Sequence, residues 1–73
     1  MHDVHEGRIL AFLHQHRGYH TPEDVADALV LPREEVQRQL HRLQEAGLVA
    51  PFSMDSESYG ITYQGIEATA RAA

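Results

Sequence analysis

The sequence predicts a mainly α domain with one small β-hairpin: a three-helix core, a two-stranded hairpin and a C-terminal helix. Three observations carry this. Apolar residues recur at helical spacing in three segments. Two of those segments open on proline, at Thr21-Pro22 and Leu31-Pro32. After Gly47, two short runs rich in β-branched and aromatic residues flank a polar loop.

The first helix is predicted from Asp3 to His16. Asp3 is the N-cap and Glu6 stands three residues on, the spacing of a capping box. Ile9, Leu10, Phe12 and Leu13 make its apolar side, and His16-Arg17-Gly18 is a stop signal. The second helix begins at Thr21, a hydroxyl cap followed by Pro22 and the acids Glu23 and Asp24 at the positive end of the helix dipole. Val25, Ala26 and Leu29 face inward. Pro32 disfavours helical geometry at Leu31, so this helix stops near Val30. Pro32 also opens the third helix, predicted to run to Ala46, with Val36, Leu40 and Leu43 as its apolar stripe. Residues 48–52 read as a strand, with Pro51 placing it at an edge. Residues 53–57 form a polar loop, residues 58–61 the return strand, and Thr62 caps a last helix that reaches about Arg71. The whole chain, 1–73, is expected to form one winged helix-turn-helix domain, with the helix-turn-helix at about 21–46, the wing at about 48–61 and the C-terminal helix at about 62–71.

The chain resembles the winged helix-turn-helix regulators of bacteria and archaea, such as the MarR-like and ArsR-like groups. Ala26, Leu29, Leu31, Val36, Leu40, Leu43 and Ala46-Gly47-Leu48-Val49 match the family's helix-turn-helix and its entry to the wing. Tyr59-Gly60-Ile61-Thr62-Tyr63-Gln64-Gly65 is similar to its Tyr-x-Leu-Thr-x-x-Gly closing segment. The resemblance implies a DNA-binding regulator of transcription, a homodimer on a palindromic site, with the helix at 32–46 in the major groove. Three departures stand out. Val30 replaces the glycine frequent in the turn, and a β-branched residue is strained at positive φ, so a different turn geometry is expected here. A proline and two acids open the third helix where the family often has serine or threonine. The wing tip carries Asp55 and Glu57 in place of a cation, so the wing is expected to make no DNA contact.

Charge bears on the same question. The net charge is −5, and all six basic side chains other than histidine are arginines. Phosphate binding needs a basic face, and residues 32–46, net neutral, hold half of the arginines. On that helix Arg33, Gln37 and Arg38 are the candidates for base contacts, because arginine and glutamine read guanine and adenine edges bidentately. His41 and Arg42 are candidates for phosphate contact. Thr21 is a further candidate, because helix N-termini capped by Thr21 or Thr62 can offer backbone amides to phosphate. The alternative is a solvated face of ion pairs, Glu34 with Arg38 and His41 or Arg42 with Glu45. In that case the domain is a protein–protein interaction module or accessory factor that binds no DNA.

Other classes find little support. The sequence has no cysteine, no phosphate-binding glycine loop and no nucleophile elbow, so neither an enzyme nor a cofactor is expected. Six histidines include His2 and His5 beside Asp3 and Glu6, and His16 near His20, but neither group has strong ligand spacing and no metal is expected. No apolar run is long enough to span a membrane, which leaves a cytoplasmic protein as the expectation.

Overall fold

The computed structural model describes residues 4–72. Its elements follow the order α1 (Val4–Gln15), α2 (Pro22–Leu29), α3 (Arg33–Glu45), β1 (Val49–Pro51), β2 (Tyr59–Ile61) and α4 (Tyr63–Ala72). This is the winged helix-turn-helix order expected from the sequence. Each predicted helix is present to within a residue or two; the predicted cap Asp3 lies outside the described residues. No helix among the described residues is long and apolar enough to cross a membrane.

The core is built from the stripes that the spacing marks. Ile9, Leu10 and Leu13 of α1, Val25 and Ala26 of α2, Val36, Leu40 and Leu43 of α3, and Val49 of β1 are all buried. Phe12, Leu29, Leu31, Leu48, Tyr59 and Ile61 pack around them, half-buried. Tyr59 thus serves the core. Caps act as expected at two helix starts. The Asp24 amide donates to Thr21 Oγ1 at 3.1 Å, and the Gly65 amide donates to Thr62 Oγ1 at 3.1 Å.

The turn between α2 and α3 corrects the sequence reading. Val30 does adopt the left-handed conformation, at φ 57° and ψ 53°, despite its β-branch. Its own amide and that of Leu31 both donate to the Ala26 carbonyl, which closes the end of α2. Those bonds, together with the burial of the flanking helices, hold a backbone that valine alone disfavours. The Val30 side chain points away from the protein, 88% exposed, so it meets no neighbour that would add to the strain. Arg8 of α1 supports the same turn by donating from Nη2 to the Leu29 carbonyl at 2.8 Å.

β1 and β2 pair antiparallel, with Val49 opposite Ile61, Ala50 opposite Gly60 and Pro51 opposite Tyr59. A third segment, the connection between α1 and α2, joins them. His20 pairs with Tyr59 on the other edge of β2, through amide–carbonyl bonds of 3.0 and 2.8 Å. Gly60 makes room for it: a Cβ there would lie 2.9 Å from the Gly18 carbonyl oxygen and 3.1 Å from the Tyr19 ring. The wing is therefore tied to the α1–α2 connection. Just beyond β1, at the loop end of the hairpin, the Phe52 ring meets the Tyr19 ring edge to face, with centroids 5.0 Å apart.

Candidate nucleic-acid interface

α3 divides into two unequal arcs. Val36, Gln39, Leu40 and Leu43 are buried, while Arg33, Glu34, Gln37, Arg38, His41, Arg42, Gln44 and Glu45 are exposed. At 3.6 residues per turn the exposed residues cover about half of the helix circumference. Arg33, Gln37 and His41 form one i, i+4 row and Arg38 with Arg42 a second. Glu45 ends the first row and Glu34 begins the second. The five α3 candidates thus share one solvent-facing surface. Thr21 belongs to α2, half-buried, and its hydroxyl oxygen is engaged by the Asp24 amide beside the exposed acids Glu23 and Asp24.

Glu35 sits at the boundary of the two arcs, with a side chain only 17% exposed. Its Oε1 accepts from Gln39 Nε2 at 3.0 Å and lies 3.4 Å from His5 Nδ1 on α1. Its Oε2 accepts from Arg38 Nη2. The Gln39 amide, followed by His5 and Arg38, holds the Glu35 carboxyl below the usual carboxylate range, against partial burial, which raises it. Two corrections follow. The partner of Arg38 is Glu35 rather than Glu34, because Glu35 is anchored beside it by Gln39 and α1. And Gln39, polar and one residue away from Leu40, is part of the buried arc, 1% exposed, where the apolar stripe alone did not place it. The relevant sequence signal was the i, i+4 spacing of Glu35 and Gln39, which suits a carboxylate–amide bond.

The expected pairing of His41 with Glu45 is present at 3.0 Å, with both side chains 70% exposed. Such exposed pairs contribute at most about 1 kcal/mol and leave His41 available to another anion. Arg33 and Arg42 form no ion pair among the described residues. The wing loop exposes Asp55 and Glu57, together with Met54, and presents no cation.

The histidines other than His41 serve the scaffold where they are described. His20 Nε2 donates to the His16 carbonyl at 2.7 Å, and both rings lie against Phe12 at centroid distances of 5.3 and 4.7 Å. His14 Nδ1 lies 3.1 Å from Thr69 Oγ1, joining α1 to α4. No three His, Asp or Glu side chains converge as a metal site among the described residues, and His2 and Asp3 lie outside them.

A three-helix core, a third helix that follows a tight turn and exposes one arginine-bearing face, and a two-stranded hairpin define the winged helix-turn-helix class. Within that class the chain belongs to the MarR family, whose family model matches residues 3–53. Solved structures agree. MepR, a transcription regulator of the Staphylococcus aureus multidrug efflux pump MepA, is 27% identical with a TM-score of 0.79, over 93% of this chain and 51% of that one. The S. aureus MepR–DNA complex is 26% identical with a TM-score of 0.77, over 90% of this chain and 51% of that one. A MepR mutant from a multidrug resistant S. aureus clinical isolate matches at 24% identity and a TM-score of 0.82, over 93% and 52%. The chain therefore spans about half the length of these structures. A search of curated proteins finds no match.

Proposed function

We propose that this chain is the DNA-binding domain of a transcription regulator, acting by binding rather than by catalysis, with α3 in the major groove of double-stranded DNA. The observation that carries this reading is the exposed arc of α3. Arg33, Gln37, Arg38, His41 and Arg42 project from it, and one of the two acids at its start, Glu35, is turned aside and neutralised. Arg33, Gln37 and Arg38 lie in the first half of the helix, the half that reads base edges in helix-turn-helix proteins, and His41 and Arg42 lie towards phosphate. α2 braces α3 from the backbone side, with Thr21 at its start. The likeness to MepR, of which a DNA complex is known, supports DNA as the partner.

The net charge of −5 sets the expected character of binding. Phosphate attraction is confined to one helix, so few phosphates are neutralised: nonspecific affinity should be low and its salt dependence modest, with a slope of about −0.9 per phosphate neutralised. We further propose a homodimer on a palindromic site, the arrangement in which two copies of α3 meet successive major grooves about 34 Å apart, working in the cytoplasm.

The test is a titration of duplex DNA at about 20 mM and about 150 mM salt, followed by amide chemical shifts. Shifts that concentrate on residues 33–42 and shrink at higher salt support the reading. Unmoved α3 amides at the lower salt would overturn it and hand the surface to a protein partner. Light scattering with and without the duplex reads the dimer.

A further inference from the structure

Glu35 is anchored on one side and engaged on the other. Its Oε1 is taken by Gln39, which is 1% exposed, and faces His5 of α1. Its other oxygen, Oε2, is left for Arg38, whose side chain is 68% exposed. A surface arginine on a flexible stem binds any phosphate it meets and carries no sequence information. An arginine held by a carboxylate differs in two ways. Part of its donor fork is already used, which limits the directions left for a ligand. Much of its rotamer freedom has also been lost before the ligand arrives, which favours one geometry over many.

We infer that Glu35 is a positioning residue for Arg38, holding its guanidinium as a rigid reader of one guanine base edge rather than as a general phosphate clamp. This rests on the proposal that α3 enters the major groove. Gln39 and His5 are the anchors: they fix the carboxylate to the buried arc and to α1, so that the orientation of Arg38 is set by the core of the domain. Arg33 and Arg42, without ion pairs among the described residues, are by contrast adaptable. The exposed face then divides into one oriented arginine and two mobile ones.

The test has two arms. In the first, without DNA, the Arg38 side-chain Nε–H is followed by NMR in the wild type, Glu35→Gln and Glu35→Asp, with Arg42 as the internal comparison. A protected, ordered Arg38 in the wild type that becomes as mobile as Arg42 in both variants is expected; equal mobility of Arg38 and Arg42 in the wild type overturns the inference without reference to DNA. In the second arm a random duplex pool is selected with the wild type, and the selected site and an unselected duplex are then titrated with each variant. The wild type should prefer guanine at one position by about tenfold or more, within the range known for bidentate base contacts. Glu35→Gln and Arg38→Lys should lose that preference while keeping affinity for the unselected duplex within about threefold. Arg38→Ala should lose the preference and weaken both, and adding Glu35→Gln to it should change the preference no further. A Glu35→Gln protein that folds and keeps the guanine preference overturns the inference alone. A wild type that enriches no sequence and binds no duplex at low salt overturns the proposed function and, with it, the reader role of Arg38. Melting curves of each variant confirm folding, and Glu35→Asp, which keeps the charge but shortens the arm, carries the test should Glu35→Gln unfold.

Discussion

Gly65 in α4 lies directly against the carbonyl oxygen of Leu48. A Cβ at position 65 would collide with that oxygen and would approach Ile61 Cγ1 to 2.6 Å. The contact joins the two ends of the hairpin. Thr62 completes the joint by accepting from the Gly65 amide, donating to the Gly47 carbonyl at 2.7 Å and donating from its own amide to the Leu48 carbonyl at 3.1 Å. The Gly47-Leu48-Val49 and Thr62-x-x-Gly65 segments, read separately in the sequence, are thus the two halves of one contact. Replacing glycine by alanine inside a helix normally stabilises it by up to about 1 kcal/mol. Here Gly65→Ala should destabilise instead, by about 1–3 kcal/mol, the cost of overpacking against backbone that cannot retreat. Urea denaturation reads the sign directly, and an increase in stability would show that the α4–Leu48 contact is loose.

Val30 predicts the opposite response to glycine. A β-branched residue at φ 57° holds a conformation that costs an L-residue roughly 1–2 kcal/mol, and its exposed side chain returns little by burial. Val30→Gly removes the steric cost and adds chain entropy to the unfolded state. A net gain of about 0.5–1 kcal/mol is expected in thermal or urea unfolding, with α3 amide shifts unchanged beyond the turn. A loss of stability would mean that the side chain contributes contacts outweighing the strain.

Acid should weaken the domain through Glu35. Its carboxyl is held below the ordinary value by Gln39, His5 and Arg38. With the folded-state value lowered, the unfolded state binds more protons over the interval between the two, so stability rises with pH there. The contribution is complete above the ordinary glutamate value, about 4.3, and is lost as pH falls through the lowered one. Urea midpoints compared at about pH 5.5 and pH 3 should fall less for Glu35→Gln than for the wild type. Equal falls would mean that other carboxylates dominate the acid limb.

Thr21 separates a structural role from a DNA role. Its hydroxyl caps α2, and Thr21→Ala should cost about 1 kcal/mol of stability. DNA affinity measured well below the melting temperature tests the second role. An affinity unchanged within about twofold would leave Thr21 as a cap alone, whereas a tenfold loss with the fold intact would mark a phosphate contact at the start of α2.

Much of this architecture was legible in the chain because it depends on neighbours in sequence. Thr21-Pro22 and Pro32 mark where helices begin, since a cap and a proline act on backbone within three or four residues of themselves. Val36, Leu40 and Leu43 mark the buried side of α3 because the helical period is a local property. The surface residues Arg33, Gln37, Arg38, His41 and Arg42 could be chosen by the same rule, as whatever lies opposite that stripe. Other features needed the packed molecule. Whether Arg38 turns to Glu34 or Glu35 depends on Gln39 and on His5 of α1, thirty positions from Glu35 in sequence. The pairing of His20 with Tyr59 joins segments that share no local pattern. Val30 is left-handed because the burial of α2 and α3 outweighs a local preference worth only a kilocalorie or two. Local propensity can name the helices and the outward-facing residues of α3, but the orientation of each charged group on that face is set by contacts between helices, whose energies are comparable with those preferences and whose partners lie far apart in the chain.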